Sequence, residues 1–512
     1  MNRTHIIAQL LSARRRRLDC YATEAEQMQR DVLDRLTTKA RRTQWARQYG
    51  LGEGGGYDEF ARRCPVTTYD VLKSWIERMR RGEADVLWPG RVRWFAKSSG
   101  TTSDRSKFIP VSREGLRDTH LRGGWDAMTW YLSHVPKSRV LDGRALILGG
   151  SHATDGEHPL TQTGDLSAIL IENMPWMAGL MRVPCRETAL LSDFDTKCER
   201  IAREAMGKRV TSLSGVPSWM MNVLRRVLEI SGKRHIGEVW PDLEVFFHGG
   251  VAFGPYRKQY EELTGLPGMH YMETYNASEG FFGLQDDLTD GAMSLMVDYG
   301  VFYEFIPVRQ LDNPDSQPVP LWGVETGVDY AMLITTSSGL WRYVIGDTVR
   351  FTHVRPYKFV ITGRTRSFIN AFGEELIVDN AERALAEACR QTGAQVREYT
   401  AAPVYMDDEG HGRHQWLVEF SRMPDDTGHF VRALDLALQQ QNSDYEAKRR
   451  ADITLQEPEL VVARHDLFDD WLRKQGRLGG QHKVPRLCND RKVIESILRP
   501  LPLTLPEGRE EL

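Results

Sequence analysis

Between Phe95 and Ser112 the chain reads FAKSSGTTSDRSKFIPVS. A short apolar run enters five small residues, Ser98-Ser99-Gly100-Thr101-Thr102, and an apolar run resumes after Lys107. Hydroxyls and unpaired backbone N–H groups at close approach suit phosphate oxygens, and the trailing lysine adds a point charge. The G-x-x-x-x-G-K-[ST] spacing of a Walker A loop is absent. Alone, the stretch reads equally well as a Ser/Thr-rich surface turn.

Four stretches downstream shift that balance. His248-Gly249-Gly250-Val251-Ala252-Phe253-Gly254 follows an apolar strand pattern, and bare backbone there lets a flat ligand lie close. Tyr275-Asn276-Ala277-Ser278-Glu279 is a polar loop ending in a carboxylate. Magnesium on a nucleoside triphosphate is usually held through one or two carboxylates plus the phosphates, so Glu279 is the candidate ligand and Glu273 a poorer one. Asp347, just after Gly346 at a strand end, suits the two hydroxyls of a ribose, and Arg364 in Gly363-Arg364-Thr365-Arg366 would meet ribose or α-phosphate. Gly479-Gly480-Gln481-His482-Lys483 is a glycine-flanked lysine able to offset charge at a phosphoryl centre. Each has an ordinary reading beside it: a strand-to-helix turn, a solvated loop carboxylate, a turn aspartate, a surface ion pair, a surface lysine.

Two patterns do not persuade. His411 and His414 sit three apart in an Asp/Gly-rich turn with no third ligand nearby. Ser212, Ser214 and Gly215 form no G-x-S-x-G elbow.

The elements that must position these loops follow from periodicity. Residues 1–49 read as helices, with Ile6, Ile7, Leu10 and Leu11 on one apolar face and Val32, Leu33 and Leu36 on another. Arg14 to Arg17 could form a phosphate or membrane patch, but read better as a solvated helix face. Helices are predicted over 69–80, 113–134, 196–206 and 218–231, and strands over 144–150, 209–212 and 243–247. That alternation predicts a largely parallel sheet covered on both faces, with ligands beyond the C-terminal strand ends. From 299 to 362 shorter β-rich segments predict an antiparallel or barrel-like part.

Composition bounds the class. The chain has 512 residues, 41% hydrophobic and 27% charged, with a net charge of -3. At roughly 100–200 residues per domain this is one large domain and at least one smaller one. The near-neutral balance gives no footprint of a nucleic-acid binder. No apolar run spans a membrane, and the N-terminal basic cluster follows its apolar run, the wrong order for a secretory signal. Six scattered cysteines form no C-x-x-C pair. A soluble cytoplasmic protein is expected.

Taken together, SSGTT with Lys107, YNASEG at 275–280, LWRYVIGD at 340–347, GRTRSFINAFGEEL at 363–376 and QHKVPR at 481–486 resemble the adenylate-forming acyl ligases. More closely, they resemble a bacterial-type member of the auxin-responsive acyl-acid amido synthetases, the Gretchen Hagen family. The resemblance implies an α/β fold: a large N-terminal adenylation domain, 1–365, with mixed or parallel sheets and a β-barrel-like part, and a small mobile α/β lid, 366–512. It implies ATP and Mg2+, a small carboxylic acid and an amino acid as substrates, and no nucleic acid, membrane or obligate protein partner. Ser98, Ser99, Gly100, Thr101 and Thr102 would cradle phosphates. Gly249, Gly250, Val251, Tyr275, Asn276, Ala277, Ser278, Asp347 and Arg364 would hold the nucleotide, and Glu279 the metal. Lys107, Arg366 and Lys483 would be the catalytic cations. Asp104 departs from the family loop, which commonly carries a second glycine there, and Arg105 is the neighbour that would compensate. The acceptor need not be an amine: a thiol such as coenzyme A, or a homologue that only binds nucleotide or acid, are the alternatives.

Overall fold

A computed structural model of the chain describes residues 3–98, 107–153, 159–250, 253–311, 313, 315–365, 368–369, 371, 374, 376–404, 412–442, 445–446, 449, 455–476, 483–488 and 490–499. The chain divides into two compact units, Met1–Arg366 with Leu478–His482, and Ser367–Arg477 with Lys483–Leu512.

The first unit is built on one sheet that, among the described residues, has twelve strands. From edge to edge they are Val319–Pro320, Val301–Pro307, Asp329–Thr336, Tyr343–Val354, Tyr357–Arg364, Met293–Leu295, Gly280–Gln285, His270–Ala277, Val245–Gly249, Val210–Gly215, Arg144–Ile147 and Arg182–Val183. The strands from His270–Ala277 to Arg182–Val183 pair in parallel. Those on the other side pair antiparallel. The β-rich segments after residue 299 therefore continue the parallel sheet, and no barrel-like closure occurs among the described pairings. A second sheet is centred on Trp94–Ser98, which pairs antiparallel with Lys107–Val111 and parallel with Gln162–Gly164.

Helices cover these sheets where their apolar spacing dictates. Helix Tyr21–Ala40 buries Ala25, Met28, Val32, Leu33, Leu36 and Ala40, a stripe of three- and four-residue steps. Helix Gln44–Tyr49 is capped by Thr43, which accepts from Ala46 N, and closed by Gly50 in the left-handed region. The predicted helix over 69–80 is Tyr69–Arg80. The segment predicted helical over 113–134 is a π-helix, Gly115–Leu121, running into an α-helix, Arg122–His134.

Two expectations for the first helix, Arg3–Asp19, need correcting. Ile6 and Leu10 are exposed, at 46% and 76%, and only Ile7 and Leu11 pack on the core. The arginine run is not uniformly solvated. The Arg14 guanidinium lies between Asp126 (2.6 Å) and Asp298 (2.6 Å), and Tyr21 donates to Asp298 (2.5 Å). Arg15 covers the Trp130 ring at 3.9 Å. Fixed donors in a rigid fork suit this two-carboxylate clamp, which ties the helix to the unit.

The second unit packs helices Val378–Thr392 and Thr427–Gln441 on a sheet ordered Gln395–Val404, Arg413–Arg422, Glu459–Ala463. Tyr399, Trp416 and Phe430 fill its core. His414 is fully buried, with Nε2 2.7 Å from Glu374 Oε1. His411 lies outside the described residues. No helix among the described residues is long and apolar enough to cross a membrane.

Candidate active site

The phosphate-loop candidate is the connection of a hairpin. Ser98 and Lys107 are register partners at the ends of the two strands. The loop between them, carrying Ser99, Gly100, Thr101, Thr102, Asp104 and Arg105, lies outside the described residues. The Lys107 stem is fixed by Tyr69, whose hydroxyl accepts from Phe108 N (2.9 Å) and whose ring centroid is 5.8 Å from the Lys107 ammonium. Just before helix Tyr69–Arg80, Thr67 is stitched to the turn that leads into strand Tyr343–Val354. Its N–H donates to Arg342 O, its hydroxyl to Trp341 O, and Val344 N donates to Thr67 O.

Strands His270–Ala277 and Gly280–Gln285 form a tight hairpin with Ser278 and Glu279 at its turn. Tyr275, near the end of the first strand, donates its phenol hydrogen to Asp347 Oδ2, and both residues are buried. Asp347 follows Gly346, whose φ of 92° strains any side chain, and it is the register partner of Arg364. The side chain of Arg364 and all of Arg366 lie outside the described residues.

Tyr343 joins these pieces. Burial pushes its phenol well above the ordinary range, and the negative charges of Glu279, Asp347 and Asp70, with Tyr69, push it the same way. Glu279, Asp347 and Tyr69 therefore lie within electrostatic reach of one side chain, and Lys107 sits against Tyr69. Three stretches far apart in sequence meet in one place.

Asn276 is held from the side. Its Oδ1 is 2.8 Å from Nδ1 of His120, on the π-helix. Burial lowers the His120 pKa to about 4, so the ring is neutral at physiological pH. Ser278 is buried and Ala277 half-buried. Gly249 and Gly250 lie one strand over from this hairpin. A Cβ on Gly249 would stand 2.2 Å from Thr274 O, so only glycine permits that strand approach. Val251 lies outside the described residues. Lys483 belongs to the second unit and is exposed. Its neighbours are pinned to strand Gln395–Val404, with Ala401 N donating to Arg486 O and Thr400 donating to Pro485 O (2.6 Å).

Arg342, inside the LWRYVIGD stretch, has a structural task. It donates to Glu304 through Nε (3.0 Å) and Nη2 (2.8 Å), and through Nη1 to the carbonyls of Ala61 and Cys64, both at 2.8 Å. Tyr57 also donates to Glu304 (3.1 Å). The pair is almost fully buried. Tyr69, Tyr343 and His120 were not legible as site residues, since an aromatic or histidine on a periodic apolar face reads as core.

Family models settle the relationship. That of the GH3 family N-terminal domain matches residues 14–268, that of the central domain 294–364, and that of the C-terminal domain 379–492. The chain belongs to the GH3 family. Among GH3 relatives, the probable indole-3-acetic acid-amido synthetase GH3.1 of Arabidopsis thaliana is 24% identical over 95% of this chain and 94% of its own. The jasmonoyl--L-amino acid synthetase GH3.5 of Oryza sativa subsp. japonica is 23% identical over 93% and 95%. A structure of the AtGH3.15 acyl acid amido synthetase in complex with 2,4-DB superposes with a TM-score of 0.77 at 18% identity, covering 94% of each chain. A 2-hydroxyisobutyryl-CoA ligase structure superposes with a TM-score of 0.57 at 12% identity, covering 92% of this chain and 90% of its own. This GH3 chain thus has the mixed α/β fold of the adenylate-forming ligases.

Proposed function

We propose that the chain is an ATP-dependent acyl-acid amido synthetase of the cytoplasm. The observation that carries the reading is the meeting of Lys107, Glu279 and Asp347 around Tyr69 and Tyr343 within a GH3 framework. In the first half-reaction a carboxylate oxygen attacks the α-phosphorus of ATP, the bond to the β-phosphate oxygen breaks, and pyrophosphate leaves with the electron pair. In the second, the amine of an amino acid attacks the acyl carbon. A C–N bond forms, the C–O bond to the nucleotide breaks, and AMP and a proton depart.

Asp347 accepts the ribose hydroxyls, with Arg364 beside it, and so fixes the α-phosphorus against the acid. Gly249, Gly250 and Val251 border the base. Ser98, Ser99, Gly100, Thr101, Thr102 and Lys107 hold the phosphates. Lys483 and Arg366 are assigned to offset charge that develops on the phosphoryl oxygens, an effect typically worth about 3–4 kcal/mol per donor. A half-buried carboxylate at a turn is a hard oxygen donor of the kind magnesium takes, so Glu279 fits as its protein ligand. When bound, magnesium would neutralise phosphate charge. The Tyr275 phenol orients Asp347, and His120 orients Asn276.

Pyrophosphate release measured against a panel of carboxylic acids, with and without amino acids, tests the reading. Acid-dependent release with amide product is expected. Release stimulated by coenzyme A and not by amines would make the chain a thioligase, and no release with any acid would leave a binding protein.

A further inference from the structure

Amide formation from an amino acid liberates two protons, and the first must go before the reaction begins: the amine arrives as an ammonium ion and must lose one hydrogen to become nucleophilic. None of the residues assigned above removes it. We propose that Glu273 accepts that proton, as the general base of the second half-reaction; the inference rests on the amido synthetase reading.

Glu273 lies on strand His270–Ala277, two residues before Tyr275. Strand alternation puts both side chains on one face, roughly 7 Å apart along the strand. Tyr275 uses that face to reach Asp347, so Glu273 stands on the face of the strand that meets the nucleotide cluster. Its backbone is fixed, since Glu273 N donates to Gln285 Oε1 (2.9 Å). Among the described residues no hydrogen-bond or ion-pair partner engages its carboxyl.

The adjoining strand supplies His248 as its register partner, on the same face and at the lip of the Gly249–Gly250 turn. His248 is buried, stacks on Phe253 with ring centroids 4.0 Å apart, and its Nδ1 has no partner among the described residues. Burial, with Arg257 adding to it, lowers the His248 pKa to about 3, so this neighbour offers no positive charge. Arg257, from helix Gly254–Thr264, is a cation on this face, over the rings of Phe253 (5.4 Å) and Tyr271 (5.2 Å). Asp347, Glu279 and Asp70 are the acids of the adjoining cluster.

Burial raises the Glu273 pKa to about 7, near the operating pH, where a base holds a useful fraction ionised and accepts a proton more readily than an ordinary carboxylate does. A magnesium ligand would instead sit ionised beside the phosphates, the position of Glu279 at the turn. The step balances. The Glu273 carboxylate takes one ammonium hydrogen, the freed nitrogen pair forms the C–N bond, the C–O bond to AMP breaks onto AMP, the second nitrogen-bound hydrogen that the amide sheds leaves to water, and the protonated Glu273 later yields its hydrogen to water.

The test is Glu273→Gln, read three ways beside wild type: acid-dependent pyrophosphate release without acceptor, amide formation with an amino acid across pH, and hydroxamate formation with hydroxylamine, an acceptor uncharged at neutral pH. The variant should release pyrophosphate within about twofold of wild type and form hydroxamate comparably. Its amide formation should fall about 100-fold or more and lose the pH limb near 7. Amide formation at the wild-type rate overturns the proposal. So does an equal loss of pyrophosphate release, which would assign the carboxyl to ATP or its metal, and so does an equal loss with hydroxylamine, which would make its role structural. A wild-type protein that releases no pyrophosphate with any acid sinks the amido synthetase reading and the proposal with it, a result separable from failure of the variant alone.

Discussion

The phenol of Tyr275 donates to the carboxylate of Asp347 across 72 residues of sequence, with both groups buried. One end of this contact is a strand that carries polar site residues, and the other is the residue assigned to the ribose.

Tyr275→Phe should therefore keep the fold and loosen the carboxylate. A hydrogen bond to a charged group is worth about 1.5–3 kcal/mol, so KM for ATP should rise about tenfold or more, with a smaller change in kcat. Steady-state pyrophosphate release at varied ATP measures it.

Glu279→Gln is expected to fold normally, because the residue stands at a hairpin turn and is only half-buried. Magnesium-dependent pyrophosphate release should fall at least 100-fold and the magnesium concentration for half-activity should rise. Full turnover in this variant would remove Glu279 from the metal.

Arg342→Met tests the buried pair with Glu304. Removing one partner leaves an uncompensated buried charge, and such losses cost about 3–5 kcal/mol. Urea denaturation should show a loss of unfolding free energy of that size, seen as a lower midpoint, or a chain that fails to fold. The double variant Arg342→Met with Glu304→Leu should recover part of it.

His120 makes stability fall in acid. Its folded pKa is about 4 against an ordinary 6.5, so the unfolded chain binds a proton that the folded chain refuses. The contribution is whole above pH 6.5 and is lost as pH falls toward 4, up to about 3 kcal/mol. Glu273 acts in the opposite sense. Its raised folded pKa makes stability decline as pH rises from 4.5 through 7. Denaturant midpoints followed against pH should lose the acid slope in His120→Asn and the opposite slope in Glu273→Gln.

How much of this was legible depended on distance along the chain. The helix over 69–80 was readable because local composition and period define it. The stretch 275–280, read as a polar loop, is instead the end of strand His270–Ala277, a turn of Ser278 and Glu279, and the start of Gly280–Gln285, and Asp347 lies inside strand Tyr343–Val354 and not at a strand end, because small polar residues and a glycine look like a break even where strand pairing continues. Arg14 was misread because four arginines in a row look solvated, while its partners lie 112 and 284 residues away. Tyr343 and Tyr69 could not be picked out because nothing local distinguishes a packed phenol from one beside a carboxylate cluster. The continuity of the sheet was also out of reach, since period shows that a segment is a strand and not which strand it joins.

The segment His270–Ala277 is where the great sheet changes direction, running with Val245–Gly249 on one flank and against Gly280–Gln285 on the other. Both flanks hold it in register, so adding or deleting a single residue inside it would turn Glu273 and Tyr275 to the side now taken by Thr274 and Asn276. The loops around it can lengthen and drift as substrates change. Its own count of residues cannot, and a comparison of chains that share this chemistry should find insertions everywhere but there.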